Sequence, residues 1–270
     1  MRAWLFTPAL AAGLLTLSGC YIDDFGGPRI SRDFHYSYPL SADGKVAVEA
    51  FNGGIEISGW DQNTIDISGT KQARSEQALD DLDIHIDHTP TSVSVRVDRP
   101  SMQHGNQGVR FIIKVPRNAV LDRISTSNGG IRVADGAGPT ILRTSNGSIH
   151  IEDLKGSVEA RTSNGAIDAR LDSAAGPLKF ETSNGSVQLR LPAKFDDDVR
   201  IHTSNGSITV RAPENLNARV SARTSNSKIT SEFDVRSRGD ISRHHLEGTI
   251  GAGGPLLDLS TSNGSINITR

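Results

Sequence analysis

Residue types that could do chemistry are sparse in this chain and converge poorly. Asp83, His85 and Asp87 alternate with Ile84 and Ile86, so a strand there would set all three polar side chains on one face. A metal site needs three or four ligands that converge on a point, whereas a row along a strand reads as a solvated face. Asp196-Asp197-Asp198 reads as an acidic turn. Gly-x-Ser-x-Gly, His-Glu-x-x-His and a phosphate loop are all missing from the sequence, and the glycine-rich stretch 248–254 has no Lys-Ser/Thr after it. No catalytic residue, metal or cofactor is therefore assigned.

Basic side chains offer a softer signal. Arg143, Arg161, His202 and Arg223 each precede a repeated threonine and would form an outward column if the repeats stack. A second cluster, Arg238, Asp240, His244 and His245, falls in the stretch 236–250, where the repeat degenerates. Both are candidate binding residues, for an envelope glycan or a protein. Hydrolysis of carbohydrate would need paired carboxylates projecting from neighbouring coils, and the outward column shows no repeated acid pair. A carbohydrate-active enzyme remains the alternative, as does a self-assembling structural protein.

Cys20 is the only cysteine of the 270 residues, which excludes an intrachain disulfide. It follows Arg2 and an apolar stretch over 3–17 that is too short for a comfortable transmembrane helix and contains Pro8. Leu17-Ser18-Gly19-Cys20 is similar to the processing box of bacterial lipoproteins, in which the cysteine carries the acyl chains and begins the mature protein. The expected order is a signal peptide over 1–19, a lipidated Cys20 with a tether over 20–40, and one domain over 41–270. Several acyl chains give stable anchoring to a membrane. Tyr21, in place of Asp after the cysteine, points to the outer membrane of a Gram-negative cell.

Composition sets the outer bounds. Net charge is -2 with 22% charged residues, which argues against nucleic-acid binding, and aromatics at 5% leave little for stacking bases. Hydrophobic residues at 36% with 27 Gly are ordinary for a globular domain.

The elements that must position these residues come from a repeat. Thr-Ser-Asn-Gly begins at Thr126, Thr144, Thr162, Thr182, Thr203 and Thr261, and Thr224 opens a variant ending in Ser227. The spacings are 18, 18, 20, 21, 21 and 37, so a degenerate copy is expected inside the last interval. Within each copy the period is two: Leu142, Thr144 and Asn146 share a face, and Ile149 and Ile151 continue the apolar set. A hairpin meander has no need for the same residues at every turn, whereas stacked coils do. The fold expected is all-β: a right-handed parallel β-solenoid, irregular over 41–122, regular over 123–270, with a short N-terminal helix after Ser75.

The expected structural ladder runs through Thr126, Asn128, Thr144, Asn146, Thr162, Asn164, Thr182, Asn184, Thr203, Asn205, Thr224, Asn226, Thr261 and Asn263, with amides and hydroxyls bonded along the interior. The glycine after each asparagine is expected to supply positive φ. The last corner lies close to Arg270, so an open coil edge and end-to-end self-association are expected.

Asn52-Gly53-Gly54-Ile55-Glu56-Ile57 with Gly59-Trp60-Asp61, the short helix before paired strands and Ile113-Lys114-Val115-Pro116-Arg117, and the Asn-Gly ladder together resemble a bacterial domain family of unknown function labelled as candidate adhesins. The resemblance spans roughly 42–270. It implies a β-helix-like fold on exported or envelope proteins and carries no catalytic residues.

Overall fold

The computed structural model describes residues 29–98, 107–237 and 242–270. Cys20, the export segment, Arg238 and Asp240 lie outside the described residues. Among the described residues the chain builds two sheets, of 11 and 12 strands, with the main core between them and a small second cluster of Ala73, Ala78 and Leu79.

The regular half alternates between the sheets. Thr140–Thr144 lies in one sheet, Ile149–Lys155 in the other, and Val158–Arg161 returns to the first, parallel to Thr140–Thr144 with Leu142 opposite Ala160. The same register carries the core upward. Leu142, Ala160, Phe180, Ile201 and Leu259 stack on one side, and Ile131, Ile149, Ile167, Val187, Ile208 and Ile266 on the other. All are buried, and small Ala160 under large Phe180 keeps the volume between the sheets filled. Alternating apolar residues thus become the lining of a parallel β-solenoid.

Both ends depart from sequence order. Lys45–Glu49 and Ile55–Trp60 form a coil that lies between the later Ser92–Val97/Gly108–Pro116 coil and the Val120–Thr126/Ile131–Ala134 coil. At the other end, Leu256–Thr261 sits between Val199–Thr203 and Ala218–Thr224, and Ile266–Thr269 between Ile208–Arg211 and Ile229–Ser231. The C-terminal coil is therefore an interior rung, which corrects the expectation of an open edge there. The interval between Thr224 and Thr261 holds no degenerate rung among the described residues. It holds Val235–Arg236 and His245–Ile250, which run antiparallel and close the sheet beside Ala218–Thr224.

The opposite end is closed by antiparallel strands too. Ile30–Pro39 pairs with Thr64–Ala73, which pairs with Gly108–Pro116, and Ile84–Thr89 pairs with Ser92–Val97. Residues 30–39 are thus part of the fold rather than of a tether. Arg32 interrupts the apolar alternation of Ile30, Phe34, Tyr36 and Tyr38, which conceals the strand in the sequence. Its guanidinium is taken up by Glu76 and Asp80, both at 2.7 Å, while Phe34 meets Phe111 edge-on at 5.6 Å. The helix is where Ser75 and its spacing place it. It spans Glu76–Asp80, the Ser75 hydroxyl accepts from the Ala78 amide at 3.2 Å, and Ala78 and Leu79 are buried.

Candidate functional surfaces

The repeated tetrad builds one corner of every rung. Asn128 donates to Asn52 Oδ1 at 2.7 Å, Asn146 to Asn128 and Asn164 to Asn146 at 2.8 Å, then Asn184 to Asn164 and Asn205 to Asn184 at 2.7 Å. Asn263 donates to Asn205 and Asn226 to Asn263, also at 2.7 Å. Asn52 Nδ2 ends the series on the Gln107 carbonyl at 3.0 Å. All the amides point one way along the axis. From Asn128 onward the asparagines of the ladder are exposed and Asn52 is half-buried, so it zips the outer corner and not the interior.

Threonine works differently from the expected hydroxyl column. Each Thr of the tetrad is buried, and each Oγ1 donates to a glycine carbonyl of the neighbouring rung: Thr144 to Gly129 at 2.9 Å, Thr162 to Gly147 at 2.8 Å, Thr203 to Gly185 at 2.9 Å. Thr126, Thr182, Thr224 and Thr261 repeat this with Gly53, Gly165, Gly264 and Gly206. The turn of one coil is thereby tied to the strand of the next.

The corner glycines are there for close approach. Positive φ occurs at Gly53, Gly176, Gly251, Gly253 and Gly254, not at Gly147, Gly165, Gly185 or Gly206. A Cβ on Gly185 would stand 1.8 Å from the Gly165 carbonyl oxygen, and one on Gly206 1.7 Å from that of Gly185. Stacked corners leave no room for a side chain.

The outward column of basic residues is interleaved with acids. Arg143 pairs with Glu159 at 3.1 Å, Arg161 with Glu159 at 3.1 Å and Glu181 at 3.2 Å, and Lys179 with Glu181 at 3.1 Å. His202 bonds Ser260 through Nδ1 at 2.8 Å, and Arg223 lies opposite Ser260 and His245. The column exists in register but does not converge on one site. His245 approaches Glu247 at 3.5 Å, and the His244 carbonyl accepts from the Thr224 amide at 3.0 Å, so His244 helps close the end of the stack. A groove of about 720 Å³ runs beside it, lined by Arg219, Ser221, Arg236, His245, Glu247 and Thr249. Arg219 Nε donates to the Gly254 carbonyl at 3.1 Å and Arg236 to that of Gly251, so both guanidiniums hold the end loop.

Asp83, His85 and Asp87 do not assemble. His85 pairs instead with Asp98 at 3.0 Å, and among the described residues no group of three potential ligands converges. Asp198 serves the fold, since its Oδ1 accepts from the Leu256 amide at 2.8 Å and fixes the start of the interior C-terminal coil. On the other sheet, His150 donates toward Glu152 at 2.8 Å, and this hydrogen bond holds the Glu152 carboxyl below its usual range against the opposing effect of burial. Asp61 is likewise lowered by the hydrogen bond from Arg117 at 2.7 Å.

One column escaped the sequence reading. Arg170, Arg190 and Arg211 lie in register on successive rungs. The signal was present as Ile-Asp-Ala-Arg, Val-Gln-Leu-Arg and Ile-Thr-Val-Arg after successive corners, at the period of the repeat.

These features define the class: a parallel β-solenoid-like domain whose repeated corner is an asparagine ladder. Residues 123–209 match the model of the Toastrack DUF4097 family, in agreement with the resemblance read from the motifs. Similar solved structures include a candidate adhesin from Bacteroides fragilis NCTC 9343, 13% identical, covering 90% of this chain and 98% of that chain with a TM-score of 0.48. A candidate cell adhesion protein from Clostridium sporogenes ATCC 15579 is 14% identical, with 88% and 99% covered and a TM-score of 0.40. A candidate lipid binding protein from Parabacteroides distasonis ATCC 8503 is 13% identical, with 90% and 98% covered and a TM-score of 0.41. No curated protein matches the chain.

Proposed function

We propose that the chain is a non-enzymatic binding surface of the bacterial cell envelope, held at the membrane by acyl chains on Cys20 and built as a right-handed solenoid. The outward register of the two sheets carries this reading. Where carboxylates face a neighbouring strand they meet bases or neutral residues: Glu152 meets Arg170, Glu159 meets Lys179, Glu181 meets Arg161 and His202, and Asp258 meets Arg200. Such pairing suits a flat face that touches a partner over several rungs; where two acids come close, as Glu159 and Glu181 do, the Arg161 guanidinium stands between them and neutralises both, unlike the acid pair of a glycosidase. Anchoring rests on Leu17-Ser18-Gly19-Cys20, and Tyr21 favours the outer membrane. End-to-end association would use the edges Ile30–Pro39 and Ile84–Thr89 at one end and Ile229–Ser231 and Val235–Arg236 at the other, since the C-terminal coil is enclosed.

Two measurements test this. Cys20→Ser should release the protein from the membrane fraction, and undiminished membrane retention contradicts the anchor. The full chain incubated with neutral and acidic envelope polysaccharides should retain at least one without shortening it. Steady release of reducing ends contradicts a non-enzymatic surface and establishes the carbohydrate-active alternative.

A further inference from the structure

A trough crosses three rungs of one outer face. Its floor is the backbone at Ala169 and Leu189. One wall is Arg170, Arg190 and Arg211, and the other is Asp168, Gln188 and Thr209. The trough measures about 230 Å³ and runs along the solenoid axis.

The arginine wall is costly to the fold by itself. Like charges directly opposite on adjacent strands repel, and the rungs are only about 4.8 Å apart. Elsewhere on the outer faces the molecule offsets such charges with acids, as Arg143 and Arg161 show with Glu159. Arg170 has Asp153 at 3.1 Å. The guanidiniums of Arg190 and Arg211 have neither a hydrogen bond nor an ion pair among the described residues, and both residues are exposed.

We infer that this trough binds a linear acidic polysaccharide laid along the axis, its carboxylates on Arg190 and Arg211. A guanidinium matches a carboxylate with two parallel hydrogen bonds. Guanidiniums on consecutive rungs form a continuous cationic row along the axis, which suits a chain with an acid on every sugar. Gln188 and Thr209 on the facing wall supply an amide and a hydroxyl that hydrogen-bond sugar hydroxyls. The acidic end of the trough, at Asp168 and the Arg170–Asp153 pair, fixes where the acid groups can lie. No aromatic side chain lines the trough, so bases of a nucleic acid would find nothing to stack on. The inference rests on reading the outer faces as binding surfaces and names the ligand class of one of them.

The test uses the full chain in detergent, polygalacturonate as the acidic probe and an uncharged galactan as the neutral one. Polygalacturonate should bind, weaken steeply with salt, and lose about tenfold or more in affinity in the Arg190→Gln/Arg211→Gln double variant. Arg96→Gln/Arg123→Gln, on the opposite sheet, should leave the affinity within about twofold. The arginine variant should also melt no lower than the parent, because it relieves repulsion. Equal affinity of parent and arginine variant overturns the assignment, as does an equal loss in the opposite-face control. Single-stranded DNA binding as tightly as polygalacturonate overturns the polysaccharide class. Retention of the galactan alone overturns the inference while the binding-surface reading stands, and retention of no polysaccharide overturns both.

Discussion

The side-chain amide of Asn263 donates to Asn205 Oδ1 at 2.7 Å across 58 residues of chain, and its own Oδ1 accepts from Asn226, also at 2.7 Å. The last coil of the chain is therefore enclosed by two earlier ones. The first coil, at Lys45–Glu49, is enclosed in the same manner by later strands. Each of these coils is thus paired on both sides, and the sheet edges are made by other strands: Ile30–Pro39 and Ile229–Ser231 in one sheet, Ile84–Thr89 and Val235–Arg236 in the other.

The ladder makes the cost of losing an asparagine depend on its rung. Asn164 donates to one neighbour and accepts from another, whereas Asn226 only donates. Because the corner is exposed, water replaces part of each lost bond. Asn164→Ala and Asn263→Ala should each cost about 1–2 kcal/mol and Asn226→Ala about 0.5–1 kcal/mol. Urea denaturation checks this, and equal losses at all three sites contradict a directional ladder.

Glycine at the corners should be replaceable only where nothing stacks closely. Gly185→Ala forces a Cβ into backbone at 1.8 Å and should cost about 3 kcal/mol, at the upper end of overpacking. Gly54→Ala meets its nearest atom, the Gly130 carbonyl oxygen, at 3.5 Å and should cost about 1 kcal/mol or less. Thermal unfolding of the two variants side by side distinguishes close approach from a general demand for backbone freedom.

Thr203 is fully buried, donates to the Gly185 carbonyl and accepts from the Gly206 amide at 3.2 Å. Thr203→Val keeps the shape but strands both partners, and should cost about 1–3 kcal/mol. Thr203→Ser should recover most of that loss. Similar stability in the valine and serine variants would mean that the hydroxyl contributes nothing.

The His150–Glu152 bond has a signed pH dependence. A carboxyl lowered in the folded state adds stability above its unfolded pKa, near about 4.3, and loses it as pH falls through the folded value. The parent should therefore exceed Glu152→Gln in melting temperature at neutral pH. The gap should close below that unfolded range. A gap that widens on acidification contradicts the hydrogen bond as its cause.

Much of this was legible because the repeat encodes it twice. Period-two alternation marks the buried set, and recurrence of Thr-Ser-Asn-Gly marks parallel stacking, so Leu142, Thr144 and Asn146 share the expected strand and corner. Three things stayed hidden. Asn146 lies beyond the end of its strand, where the chain turns outward, so face parity from Thr144 no longer applies. The order of the end coils depends on contacts between distant segments, which no local period carries. The strand Ile30–Pro39 is masked by Arg32, whose partners Glu76 and Asp80 lie on a helix far along the chain. For the surfaces, counting bases in one column ignored the acids that the next rung sets beside them.

Insertion of the C-terminal coil between two earlier ones, with like residues in register, underlies the whole stack. His202 lies opposite Ser260, and Ser260 opposite Arg223, which puts each of those pairs one rung apart and His202 two rungs from Arg223. A disulfide tolerates neighbours at about 4.4–6.8 Å between Cα atoms but not a separation near twice the rung spacing. In a chain carrying Cys20→Ser, the pair His202→Cys with Ser260→Cys should cross-link on mild oxidation, and His202→Cys with Arg223→Cys should stay reduced. Ready cross-linking of 202 to 223, with none between 202 and 260, would mean that the coils stack in sequence order and would contradict the insertion.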